Sequence, residues 1–212
     1  MRWGLKKRPV VLYLKCMSKG EQTRQQIISR ALSLSSEVGL EGLSLGNLAS
    51  ELKLSKSGLF AHFKSKEALQ LDVLQAACEL FARDVVKPSL AEPRGLRRVQ
   101  ALFDRYIAWV RGSSKTRTCI FMGLSQEYDD RPGLVRDALA KSQFDWQATV
   151  SRVAATAVET GEFRKDVDLQ QFAFEFTGIG MIFQQFSKLL KDRQAERHAY
   201  AAFEALLARS KR

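Results

Sequence analysis

Residues 54–69 read LSKSGLFAHFKSKEAL, a helical-looking stretch with Gly58 in its middle. A glycine inside a helix costs about 1 kcal/mol relative to alanine, so its presence asks for a reason. The flanking signals are those of short helices. Ser55 is placed as the N-cap of one, about two turns long and ending near Phe63, and Ser65 caps the next, from Lys66 towards Val86, where Pro88 is expected to stop it. Upstream, Ser44 caps a short helix carrying Leu45, Leu48, Ala49 and Leu52, with a brief turn at Lys53 and Leu54. Before that, Thr23-Arg24-Gln25-Gln26 reads as a capping box, and Ile27, Ile28, Ala31, Leu34 and Val38 form one apolar face closed by Gly39 and Gly42. Two short helices joined by a tight turn and packed on a first one are what a helix-turn-helix module requires.

The chemistry of the stretch agrees. Between Lys53 and Lys66 stand four lysines and no acid, interleaved with small and aromatic residues. Lysines neutralise phosphates, and small polar side chains at a helix N-terminus, here Ser55, Lys56 and Ser57, reach base edges in the major groove. The free amides of that N-terminus favour a phosphate as well. His62, one of two histidines, stands in the same segment, where a neutral imidazole can donate to a phosphate oxygen. A solvated basic face without a ligand is the bland reading of the same charge.

Across its 212 residues the chain carries 34 Lys and Arg against 23 Asp and Glu, a net +11 that favours polyanionic partners, nucleic acid first. Six of the basic residues (Arg2, Lys6, Lys7, Arg8, Lys15, Lys19) fall within residues 1–20, which hold no acid. Met17 opens the polar run MSKGEQTRQQ, so residues 1–16 read as an upstream extension that is not translated, as a basic arm that touches DNA, or as a tail without a role. Cys16, Cys78 and Cys119 are odd in number and widely spaced, which fits neither a disulfide framework nor a metal knuckle. A reducing cytoplasm is the expected location. No segment approaches the run of about 18 apolar residues that a membrane span needs, so no membrane partner is expected.

Catalysis finds little support. His62 and His198 are far apart, and acids such as Glu127, Asp129 and Glu175 are dispersed, so no enzyme, metal or cofactor is expected. Gly178-Ile179-Gly180 is a lone GxG inside an apolar helix with no strand before it, better read as close helix packing than as a dinucleotide loop. Beyond Pro88 and Pro93 the helical pattern continues. Leu96 to Val110 form a stripe; SSKTRT is a polar loop; Cys119 to Tyr128 form a short helix; a long helix ends at Gly161; and two more run from Asp168 to Lys191 and from Ala195 to Arg209. The expectation is an all-α chain of about nine helices with no internal repeat.

The segment TRQQIISRALSLSSEVGLEGLSLGNLASELKLSKSGLFAHFKSKEALQLDVL resembles the DNA-binding region of the tetracycline-repressor (TetR) family over some fifty residues. Its specific parts are the Gly39 to Ser44 turn, Leu48-Ala49, LSKSGLFAHF and SKEAL. CIFMGLSQEYDDRPGLVRDAL resembles a subgroup of the family's C-terminal domains. The resemblance implies a helix-turn-helix domain at 21–81, after a basic extension at 1–20, joined through the fourth helix to a ligand-binding and dimerisation domain at 82–212. It implies that Ser44 holds a phosphate, that Ser55, Lys56, Ser57 and Gly58 approach bases and backbone, that Phe60 and His62 sit on the sugar-phosphate wall, and that Lys66 meets a phosphate. Phe60 stands where many members have tyrosine, so a hydroxyl contact is lost. The implied partners are a near-palindromic double-stranded operator, a second copy of the chain, and a small apolar or amphipathic inducer. Inducer-pocket candidates are Phe103, Tyr106, Ile107, Trp109, Cys119, Phe121, Met122, Phe144 and Trp146. Dimer-contact candidates on the last two helices are Phe172, Phe176, Ile179, Phe183, Phe186, Ala202, Phe203 and Leu206, although a monomeric core explains the same stripes. The expected activity is a repressor released by its inducer. A constitutive or architectural DNA-binding dimer is the alternative, and a helical enzyme or carrier a remote one.

Overall fold

A computed structural model describes residues 18–112 and 119–212, except for the Lys56 side chain. The basic arm with its candidate start at Met17 and the SSKTRT loop lie outside the described residues. Among these residues the chain is all-helical: α1 (Lys19–Val38), α2 (Leu45–Glu51), α3 (Lys56–Phe60), α4 (Lys66–Phe81, continued by Ala82–Val86 and Lys87–Leu90), α5 (Leu96–Arg111), α6 (Ile120–Tyr128), α7 (Leu134–Glu159), α8 (Leu169–Gln184, continued by Gln185–Leu189) and α9 (Ala195–Ser210).

Three boundaries differ from the sequence expectation. The first helix opens at Ser18 instead of Thr23: Ser18 Oγ accepts the Glu21 amide and the Glu21 carboxylate accepts the Ser18 amide, a complete capping box. Thr23 lies inside the helix, its hydroxyl donating to the Lys19 carbonyl at 2.9 Å. At the other end of the module, Pro88 does not stop α4. Residues Ala82–Val86 form a π-helical turn, in which the Lys87 amide donates to the Ala82 carbonyl, and helix resumes through Leu90. A proline ring collides with the carbonyl four residues back in a regular α-helix, and the widened turn relieves that collision. α3 also ends earlier than expected, at Phe60, because Phe63 turns into the core.

The N-terminal core is built by Ile27, Ile28 and Ala31 of α1, Leu48 and Ala49 of α2, Leu59 of α3, Phe63, and Leu69 and Val73 of α4, all buried. Arg24 sets its guanidinium over the Phe63 ring at 5.1 Å. Fully burying the larger of these side chains is worth about 1.5–3 kcal/mol each, which holds α2 and α3, helices too short to persist alone. The C-terminal core is aromatic. Phe103 of α5 stacks on Phe203 of α9 with ring centroids 3.8 Å apart, and Phe176 of α8 meets both edge-on. Gly180 explains half of the GxG: a Cβ there would lie 2.2 Å from the Tyr106 ring, so glycine is what lets α5 and α8 close together. Gly178 has nothing within 4 Å and makes no such contact.

Candidate nucleic-acid interface and regulatory cavity

α2, the turn and α3 present their polar ends outward. Ser44 Oγ accepts the Asn47 amide at 3.3 Å and Ser55 Oγ accepts the Gly58 amide at 3.0 Å, so both serines cap their helices. Ser57 Oγ lies 3.1 Å from Ser55 Oγ. A Cβ on Gly58 would stand 3.1 Å from that capping oxygen, tighter than an ordinary contact, so Gly58 has a local reason beside any approach of DNA. Between the caps, Lys53 adopts a left-handed φ of 55°, which sets the turn. Leu59 and Phe63 are buried, whereas Ser55, Ser57 and Phe60 are exposed and His62 is half-buried. One surface therefore carries Ser55, Ser57, Phe60 and His62 together, with Ser44 at the neighbouring helix end.

Lys66 has a different neighbourhood from the one its sequence suggests. Its ammonium donates to the Glu41 carbonyl at 2.6 Å and to the Glu41 carboxylate at 3.2 Å. The same carboxylate accepts from Gln70 Nε2 at 2.9 Å and from the Tyr128 hydroxyl at 3.0 Å. Glu127 completes the cluster by accepting the backbone amides of Leu40 at 3.0 Å and Glu41 at 2.6 Å. Hydrogen bonding from Gln70, helped by Lys66 and Tyr128, holds the Glu41 carboxyl below its ordinary range. Burial and the bond to Glu41 push the Tyr128 phenol upward. The C-terminal end of α6 thus grips the turn that leads into α2. Of these residues only Gln70 signals itself in sequence, as an amide one turn before the apolar Val73 and Leu74, and it is buried with them.

The other end of α6 borders a cavity of about 580 Å³, walled by α4, α5, α6, α7 and α8. Its aromatic hub is Phe81, whose ring meets Tyr106, Trp109, Phe121 and Trp146 edge-on at 5.0–6.5 Å. Tyr106 is satisfied by donating to the Thr177 carbonyl at 3.3 Å. Trp146 Nε1 and Thr177 Oγ1, also on lining residues, have no hydrogen-bond partner. Burial raises both lining thiols, Cys78 and Cys119, which keeps them protonated and poorly nucleophilic.

Set against known proteins, residues 95–203 match the model of the tetracyclin repressor-like C-terminal domain, and residues 27–73 match that of the bacterial regulatory proteins of the tetR family. The chain belongs to the TetR family. It is a DNA-binding transcriptional regulator. Among relatives, the HTH-type transcriptional regulator SrpR of Pseudomonas putida is 25% identical over 200 residues, covering 91% of this chain and 89% of that protein. A TetR transcriptional regulator from Chloroflexus aurantiacus J-10-FL superimposes with a TM-score of 0.84 at 21% identity, over 92% of this chain and 99% of that one. AibR, solved with isovaleryl coenzyme A and operator DNA, superimposes with a TM-score of 0.70 at 21% identity, over 87% and 97%.

Within this TetR fold the candidate pocket residues divide. Tyr106, Cys119, Phe121, Met122 and Trp146 line the cavity. Phe103, Ile107, Trp109 and Phe144 do not, which corrects the sequence expectation. Phe103 and Ile107 are sealed in the core, and Trp109 packs its ring behind Phe81. Phe144 is 74% exposed, since two residues along a helix turn it roughly 200° away from Trp146.

The dimer-contact candidates need a similar correction. Phe172, Phe176, Phe183, Phe203 and Leu206 are buried inside the protomer, leaving Phe186 and Ala202 exposed and Ile179 partly so. The apolar face that α8 turns outward carries instead Phe174, 70% exposed, with Met181, Ile182 and Phe186. On α9 the exposed residues Ala201, Ala202, Ala205 and Ala208 make a small-residue surface. Among the described residues no helix is long and apolar enough to cross a membrane.

Proposed function

We propose that this TetR-family regulator is a repressor that holds a near-palindromic operator as a homodimer and releases it when a small apolar or amphipathic ligand enters the cavity. The observation that carries the reading is α6, which borders the cavity with Phe121 and Met122 and holds the Leu40–Glu41 turn with Glu127 and Tyr128. A ligand that displaces α6 therefore pulls on the turn that seats the DNA-reading helices. Only a ligand with different affinities for the two arrangements shifts them, and each factor of ten in operator binding takes about 1.4 kcal/mol of that difference.

In this reading Ser55, Lys56, Ser57 and Gly58 meet bases and backbone, Ser44 takes a phosphate, and Phe60 and His62 rest on the sugar-phosphate wall. Lys66 serves twice: it neutralises a phosphate in the complex and ties down Glu41 in the free protein. The exposed faces of α8 and α9 form the intersubunit contact, since two-fold operators require two heads at fixed spacing. The working parts are a DNA-binding domain at 21–81 and a ligand and dimer domain at 82–212, acting in the cytoplasm on the nucleoid. The work is binding and release, not catalysis.

Footprinting of the purified protein on DNA upstream of its own gene tests the proposal. A protected near-palindrome is expected. Weak, salt-sensitive and sequence-blind binding would count against it. Glu127→Ala should keep operator binding within a few-fold and blunt ligand-driven release; full release in that variant would remove α6 from the mechanism.

A further inference from the structure

Beside the cavity lies a second one, of about 450 Å³, between the end of α4, the start of α5 and α7. Val86 and Thr149 line both, so the two share a wall. They differ in charge. The first is bounded mainly by apolar and aromatic side chains, and its Lys141 is already paired with Asp145 at 2.6 Å. The second carries Arg94, Arg98 and Arg152 against a single acid, Glu159.

That acid is taken by Arg94. Arg98 directs Nε and Nη2 at the backbone carbonyl of Glu92, at 3.0 and 2.7 Å, a partner without a full charge. Arg152 donates to Thr149 Oγ1 at 3.3 Å, on the shared wall itself. Neither Arg98 nor Arg152 has an ion pair among the described residues. Two guanidinium charges thus border a cleft beside an apolar cavity, uncompensated. A guanidinium presents a planar fork of donors suited to phosphate or carboxylate oxygens.

We propose that the two cavities form one divided site for an anionic amphiphile: the apolar body packs against Phe81 and Trp146, and the phosphate or carboxylate head reaches past Thr149 to Arg152 and Arg98. This rests on the reading of the aromatic cavity as the regulatory site, and adds the charge of the ligand and the residues that select it. Arg152 is the specificity-determining side chain, placed by Thr149 on the shared wall.

The test uses the whole protein and three probes of equal chain length, octyl phosphate, octanoate and octan-1-ol, by isothermal titration. The two anions should bind about tenfold more tightly than the alcohol. Arg152→Gln combined with Arg98→Gln should erase that preference, leave octan-1-ol unchanged and keep the native circular dichroism, whereas Arg152→Lys should retain part of it. Tighter binding of octyl phosphate than of octanoate assigns a phosphate head; equal binding assigns any anion. An alcohol bound as tightly as the anions, an unaltered preference in the double variant, or no binding of any probe overturns the inference. Operator release by octan-1-ol as effective as that by the anions would sink the divided site and leave the regulatory cavity standing.

Discussion

At the scale of single residues, glycines and carboxylates make the clearest predictions. Gly180→Ala forces a methyl to within 2.2 Å of the Tyr106 ring, which is packed against Trp146 and Phe176. Overpacking of this kind costs about 1–3 kcal/mol, and thermal denaturation should show it as a lowered midpoint. Gly123→Ala, with nothing within 4 Å and a place inside α6, should raise the midpoint by removing backbone freedom, worth up to about 1 kcal/mol. Glu41 makes a pH prediction. Its folded carboxyl titrates below the ordinary 4.5, so its contribution to stability is present above that value and fades as pH falls through the lower, folded one. Acid titration of Glu41→Gln should show a shallower loss of stability below about pH 4.5 than the unaltered chain; matching curves would mean that the cluster around Lys66 adds nothing.

At the scale of elements, the proposed intersubunit contact on α8 and α9 makes the prediction. Ile182→Glu places a charge on the outward face of α8 without touching the buried Phe176 and Phe183, so the variant should stay helical, sediment as a monomer and bind operator DNA weakly. A variant that still sediments as a dimer would move the intersubunit contact elsewhere. Helices themselves were legible in the sequence because caps and apolar spacing are local: Ser44, Ser55, Ser65 and Asp168 all cap where their side chains say they should. What each apolar stripe faces was not legible. Phe172 and Phe176 fit an intersubunit seam and a protomer core equally well by spacing, and only the positions of α5 and α9 assign them to the core. Pro88 reads as a stop because a π-helical turn, although local, has no sequence signature of its own. In the candidate site, the capping serines could be read, whereas the partnership of Glu41 with Lys66, Gln70 and Tyr128 joins residues up to 87 apart.

At the scale of the whole molecule, the contacts separate into two sets that scarcely overlap. Ser55, Ser57, Phe60 and His62 lie on the outer surface of the reading head and take no part in the bonds between Glu127, Tyr128 and the Leu40–Glu41 turn. In the proposed mechanism that turn, with Gln70 donating to its Leu40 carbonyl at 3.0 Å, couples the two domains. A chimera follows from this division. Replacing residues 44–64 by the corresponding segment of another family member should transplant operator choice while leaving the inducer response intact, read by gel shift on both operators with and without ligand. Extending the graft back through residues 39–41, or changing Gln70, should transfer operator choice and uncouple it from the ligand. If the chimera behaves so, the Glu127 grip makes the reading head an exchangeable part with a defined socket, in which new DNA addresses are fitted without rebuilding the sensor.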